Sequence, residues 1–227
     1  MPDYLTPGVY KEDLLPPPRL AFRTGVPVFL GYAAGVAPNT PRPLTLWSQF
    51  AQSFGSAPAV GGPFVPRSDG YLADAVRGFF TNGGTLCYVV RLDEHRDGIE
   101  ALETGLEAVA ALDTIDLVCA PDIMWSRGQS LTLNPLAIQA MQNLVLHLCD
   151  STGDRFAILD ALPVDDNVRV IRQRQGLHGP NGALYFPWLL SSAGTRIPPC
   201  GHIAGIYART DNRTGVHKAP ANEPVEG

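Results

Sequence analysis

The chain has 227 residues, of which 22 are Asp or Glu and 17 are Lys or Arg, so its formal net charge is −5. This acidic balance argues against nucleic acid or an anionic membrane as the main partner. A hydrophobic content of 45% is ordinary for a globular protein and predicts a sizeable core. The start of the chain lacks the basic and apolar segments of a signal peptide, and no apolar run reaches the length of a membrane span. These features predict a cytoplasmic protein with no membrane insertion.

Residues 1–20 do not have the pattern of a core segment. Five prolines prevent a helix, and large apolar side chains occur between them with nothing local to pack on. Such a segment suits strand addition to the sheet edge of another subunit, and a disordered terminus is the alternative. We therefore expect an extended inter-subunit arm over residues 1–20, with the contacts made by Tyr4, Leu5, Pro7, Gly8, Val9 and Tyr10.

The rest of the chain, residues 21–227, is expected to form the body. Its first strand is predicted at Val26–Tyr32, followed by a loop rich in proline, a short helix that ends at Gly55 and a second loop. The stretch Tyr71–Leu92 then predicts an amphipathic helix, a stop at Asn82-Gly83-Gly84 and a buried strand. Ser68 or Asp69 is the expected cap at the start of this helix.

Helices and strands continue to alternate after this unit. Helices are predicted at 99–112, from Pro135 to Gly153, at 168–174 and from Gly201 onward, and strands at 115–120, 156–159 and 184–190. Residues 125–134 are predicted to form an irregular, exposed loop, and the end of the chain, 211–227, is polar and contains prolines. The alternation predicts an α/β fold with an open, mostly parallel or mixed sheet flanked by helices, preceded by the extended N-terminal arm.

Sequence motifs of catalysis and of nucleotide binding are absent, and the five histidines lack metal-ligand spacing. The most plausible reactive cluster is acidic: Asp122 and Asp160 follow predicted strands, and Asp165-Asp166 lies nearby in the chain. Carboxyl ends of parallel strands line one crevice, so these groups could face a common ligand. Capping of turns, or of the N-terminus of the next helix along the chain, is the favoured interpretation. We predict no catalytic, cofactor-binding or metal-binding residue, and we expect the four cysteines to be reduced core thiols.

Five stretches together resemble contractile tail sheath proteins of phages and related contractile injection systems. They are TPGVYKED (6–13), GYLADAVRGFFTNGGTLCYVVRL (70–92), LVCAPD (117–122), GDRFAILD (153–160) and PPCGHIAGIYARTDNRTGVHKAPANE (198–223). Each motif alone is weak, but all five occur in the order found in the family.

The resemblance implies a structural role without an active site. Sheath subunits stack as hexameric rings around an inner tube and contract to drive that tube through a target envelope, with extended arms linking neighbours. The implied partners are other sheath subunits, the inner-tube protein, and baseplate and terminator or cap proteins. The expected location is a virion tail or a contractile injection particle assembled in the cytoplasm.

One departure from the family pattern is that its members continue well past the APANE segment, whereas this sequence ends at Gly227. We therefore expect the usual C-terminal sheath portion to be missing. Two rival hypotheses stay open. One is a sheath-derived terminator or baseplate adaptor that does not polymerise. The other is a flavodoxin-like or Rossmann-like enzyme, which predicts that Asp122 and Asp160 converge in one pocket.

Overall fold

The computed structural model describes residues 24–56, 65–66, 70–125, 133–192 and 194–227. The strands are β1 (Pro27–Gly31), β2 (Arg42–Leu44), β3 (Gly55–Ser56), β4 (Val65–Pro66), β5 (Cys87–Arg91), β6 (Leu117–Cys119), β7 (Phe156–Asp160), β8 (Gly182–Tyr185), β9 (Leu189–Leu190) and β10 (Arg196–Ile197). The helices are α1 (Trp47–Phe54), α2 (Leu72–Thr81), α3 (Gly98–Ala110), α4 (Pro135–Thr152), α5 (Asn167–Gln175) and α6 (Cys200–Thr214), with a 3-10 turn at Pro121–Met124.

Six strands form the main sheet in the order β2-β5-β1-β6-β7-β8. Strands β5, β1, β6, β7 and β8 are parallel, and only β2 is antiparallel to its neighbour β5. Counted along the chain, the five parallel strands follow the order 2-1-3-4-5, which is that of flavodoxin-like doubly wound sheets. The predicted α/β fold with an open, mostly parallel sheet is confirmed.

Both faces of the sheet are covered, because successive strand residues point to opposite sides and both sets are apolar. On one face, Val28 and Leu30 pack with the buried residues of α3 and α4. On the other face, Phe29 packs with α1, α2 and α6. The continuous apolar runs of the sequence therefore mark strands buried on both sides, as predicted.

Helices α2 and α6 approach each other closely on the second face. A Cβ at Gly201 would collide with the backbone of Ala75, and one at Gly205 would lie only 2.5 Å from the carbonyl oxygen of Phe79. Glycine is therefore required at both positions for the two helices to pack at this distance. The Cys200-Gly201-His202 start of the last helix is thus a packing motif against α2.

Three stretches differ from the sequence prediction, one of them being the predicted second loop, in which β4 pairs with β3. The proline-rich segment predicted as a loop contains β2, in which Pro43 lies opposite Tyr88. Proline is tolerated there because β2 is an edge strand. The strand predicted at 184–190 ends instead at Tyr185, before Pro187, and the short β9 pairs with β10 in a separate two-stranded sheet.

Candidate functional site

The predicted arm, with Tyr4, Leu5, Pro7, Gly8, Val9 and Tyr10, lies outside the described residues. The same holds for Ser68 and Asp69, the expected caps of α2. These assignments therefore stay predictions. Among the described residues, Tyr71 at the N-cap position makes no side-chain cap hydrogen bond, and a carboxyl group from elsewhere in the chain accepts backbone N–H groups at the start of α2.

Asp122 supplies that capping group from the turn that follows β6. Its Oδ1 accepts the backbone N–H of Tyr71 at 2.5 Å, and its Oδ2 accepts the backbone N–H of Tyr32 at 2.6 Å. The backbone N–H of Leu72 is a further donor. Burial raises the pKa of Asp122 to about 6, although the three backbone donors favour the ionised form and oppose this shift. One buried carboxyl group thus joins the end of β1 to the start of α2.

Asp160 has the matching role at the end of β7. Its Oδ1 accepts the backbone N–H of Cys200 at 2.8 Å, which is the first residue of α6. Burial raises the pKa of Asp160 to about 7, and hydrogen bonds from the Cys200 side chain and backbone oppose the shift. Both carboxyl groups therefore have the capping role that was favoured, but they cap α2 and α6, the two helices that pack together, and not the next helix along the chain.

The other two acidic residues of the predicted cluster are exposed and lie in separate interactions. Asp165 pairs with Arg196 at 2.6 Å on the surface. Asp166 caps α5 by accepting the backbone N–H of Val168 at 2.8 Å. The four carboxyl groups therefore do not form one cluster.

A hollow of about 510 Å³ lies at the carboxyl ends of β1 and β6, the point where the strand order reverses. Its lining includes Tyr32, Asp97, Asp122 and Trp125, but not Asp160. Ligands of open α/β sheets bind at this place in the fold. Here the carboxyl group of Asp122 already accepts backbone hydrogen bonds, and Asp160 caps another helix. The convergence that an enzymatic hypothesis predicts is not found.

The part of the chain that the structure describes offers neither a cluster of metal ligands nor an exposed thiol group. It contains no group of three or more His, Cys, Asp or Glu side chains able to hold a metal ion. All four cysteines are buried free thiols, as predicted. His202 is the one buried histidine among the described residues; its ring packs against Gly78, its Nδ1 lacks a hydrogen-bond partner, and burial lowers its pKa.

Two surface features were missed by sequence reasoning. A groove with an apolar floor and an acidic rim runs between α3 and α4. Helix α5 exposes Val168 and Ile171 to solvent, although apolar residues at this spacing normally mark a core-facing stripe. The sequence does contain one signal for these two surfaces, which is the sign of the charge. All charged residues of α3 are glutamates, and all charged residues of α5 are arginines. No helix within the described residues is long and apolar enough to cross a membrane.

Comparison of the sequence with protein-family models and with curated proteins gives no match. Solved structures give several. The baseplate of the anti-feeding prophage (AFP) in its contracted state matches with 26% identity and a TM-score of 0.69, over 98% of this chain and 59% of that chain. The contracted AFP helical sheath matches with 23% identity and a TM-score of 0.63, over 99% and 58%. The contracted sheath complex of an extracellular contractile injection system, PVC, matches with 23% identity and a TM-score of 0.62, over 100% and 56%.

The similarity covers 98–100% of this chain but only 56–59% of the length of these three chains. The chain therefore has the fold found in sheath and baseplate structures of contractile injection systems, as the resemblance of its sequence motifs predicts.

Proposed function

We propose that this chain is a structural subunit of a contractile sheath. It associates with copies of itself as stacked hexameric rings around an inner tube, contacts baseplate and terminator proteins at the ends, and contracts to drive the tube through a target envelope. The observation that carries this proposal is the fold similarity over 98–100% of the chain to sheath and baseplate structures in contracted states.

The packing of the body supports a role as a rigid unit. Two of the motifs that resemble the sheath family form α2 with β5 and α6, and these helices are joined by glycine contacts and anchored by Asp122 and Asp160. Each helix is capped by a buried carboxyl group that lies at or just after the end of a sheet strand. These hydrogen bonds tie the two helices to the sheet. We infer a body at 21–227 that moves as one piece, linked to neighbours by the arm at 1–20.

A second candidate is a baseplate or terminator component that forms one ring and does not polymerise. It is supported by two similar structures that are AFP baseplates, one of which matches with 24% identity and a TM-score of 0.65. Both candidates place the protein in a virion tail or an injection particle.

Negative-stain electron microscopy of the purified 227-residue chain, alone and mixed with an inner-tube protein of a contractile injection system, separates these functions. A sheath subunit is expected to give long striated tubes, and a baseplate or terminator component is expected to give single rings. A protein that stays monomeric at every concentration and also when mixed with the tube protein would contradict both proposals.

A further inference from the structure

The groove between α3 and α4 has the properties of a docking site for a basic amphipathic helix. Its floor includes Leu106, Leu144 and Leu148, its rim carries Glu103 and Glu107, and its volume is about 280 Å³. Neither glutamate forms an ion pair within the described part of the chain. We call this surface the acidic groove.

Helix α5 carries the complementary surface. Val168, Ile171 and Arg172 lie on one outward side of the helix, at positions i, i+3 and i+4. The two apolar side chains are 54% and 56% exposed. Arg172 has no ion pair among the residues that the structure describes. We call this surface the α5 ridge.

The inverted polarity of α5 is the reason that the ridge is exposed. The residue that α5 buries is Gln173, whose Oε1 accepts the backbone N–H of Leu162 at 2.8 Å and whose Nε2 donates to Gln142 at 3.0 Å. Polar contacts therefore hold α5 on the body, whereas Val168 and Ile171 face solvent. Exposed apolar residues flanked by charge at helical spacing are typical of a helix that docks in a groove.

The charges of the two surfaces are opposite. Within α5 the charged residues are Arg169, Arg172 and Arg174, and within α3 they are Glu100, Glu103 and Glu107. Glu100 is already paired with Arg96 at 2.7 Å, whereas Glu103 and Glu107 on the rim of the groove are available. An apolar ridge with an arginine thus matches an apolar floor with two glutamates.

The two surfaces lie on different sides of α4 in one chain. Helix α4 forms one wall of the acidic groove through Leu144 and Leu148, and it holds the end of α5 through hydrogen bonds from Gln139 and Asn143 to the carbonyl oxygen of Gly176. The ridge of one copy can therefore enter only the groove of another. This geometry is a heterologous contact, which generates rings or helical arrays and not closed pairs.

We propose that the α5 ridge of one copy docks in the acidic groove of a second copy of this chain. This inference rests on the proposed function, because it names a body-to-body contact within the assembly. The contact is small, so it acts in a repeating array together with the arms, and its charged part weakens as salt concentration rises.

Disulfide trapping of the full 227-residue chain tests the contact. The four native thiols are buried, so the background of crosslinking is low. Mixing Ile171→Cys protein with Ser151→Cys protein is expected to give a heterodimer under mild oxidation, since Ser151 lines the groove. The matched control replaces Ile171→Cys with Gln52→Cys, which is exposed on α1 at the other face of the sheet, and is expected to give none.

Charge reversal gives an independent readout. Arg172→Glu and Glu107→Arg are each expected to weaken self-association about tenfold in sedimentation velocity, and the double variant on one chain is expected to restore it. Arg77→Glu, at an exposed position of α2 on the other face of the sheet, is the control and should leave association unchanged.

The outcomes distinguish this inference from the proposed function. Assemblies that form without the Ile171–Ser151 crosslink, or in which the double variant does not restore association, overturn the groove contact and leave the sheath role intact. Crosslinking of the groove only to a different protein of the particle also overturns it. Failure to associate under any condition contradicts the sheath role itself.

Discussion

The pH dependence of stability is the most quantitative consequence of the buried carboxyl groups. Asp160 is 4% exposed, and burial raises its pKa from 3.8 to about 7. The native state thus binds this proton more tightly than the unfolded chain does. The contribution of Asp160 to the free energy of unfolding is therefore fully present below pH 4 and is lost as pH rises toward 7. The shift corresponds to about 4 kcal/mol at 1.36 kcal/mol per pH unit.

The perturbation that isolates this effect is Asp160→Asn. The amide oxygen of Asn can still accept the Cys200 N–H, but the side chain stays neutral at every pH. We expect the stability of the variant relative to the wild type to increase by up to about 4 kcal/mol between pH 4 and pH 8. Urea unfolding followed by circular dichroism at both pH values measures this difference.

Asp165→Asn is the matched control. Asp165 is an exposed carboxyl group whose pKa is lowered by its ion pair with Arg196, so the variant should not reproduce the trend. A difference between Asp160→Asn and the wild type that does not change with pH would refute the reasoning, because it would mean that Asp160 titrates alike in both states.

Two further substitutions test the packing of the body. Gly201→Ala, which drives a methyl group into the backbone of Ala75, is expected to lower the free energy of unfolding by about 1–3 kcal/mol. Gly98→Ala, at a helical glycine where a Cβ would make only an ordinary van der Waals contact, 3.7 Å from Sδ of Met141, should lower it little or not at all in the same urea titration. Arg155→Met removes a buried guanidinium group that donates to the carbonyl oxygens of Val109 and Ala110 at the end of α3 and of Leu112 just after it, and we expect a loss of about 2–4 kcal/mol. Arg42→Met on the surface should cost less than about 0.5 kcal/mol by thermal unfolding, and equal losses for the two arginines would contradict this assignment.

Local patterns in the sequence predict the repeating units of the fold. The stripe of Leu72, Val76 and Phe79 identifies α2, and the uninterrupted apolar run after it identifies β5. These elements could be predicted because burial of one helix face makes apolar residues recur about every 3.6 residues. Burial of both faces of a strand replaces the alternation of apolar and polar residues by a continuous apolar run.

Contacts between distant parts of the chain could not be predicted in the same way. The N-terminus of α2 is capped by Asp122, which lies 51 residues beyond Tyr71, and no local signal reports such a pair. Strand β2 was missed because Pro43 and the prolines that precede it favour a loop, and the position of β2 at the edge of the sheet is a property of tertiary structure.

The exposed ridge of α5 was missed for a related reason. Val168 and Ile171 at helical spacing normally face the core, and Gln173 normally faces water. The structure reverses this because Gln173 finds hydrogen-bond partners in Gln142 and in the backbone of Leu162. Reversed polarity on a short helix is informative about partners only once the burial of each side chain is known.

Deletion of residues 1–20, followed by sedimentation velocity and thermal unfolding of the same samples, tests the central proposal most directly. The account predicts that the shortened chain sediments as a monomer under conditions in which the 227-residue chain assembles, with an unchanged melting temperature. A sharp fall in melting temperature, or undiminished assembly, would contradict it, because the first 20 residues would then belong to the core or be unnecessary for linking one subunit to the next.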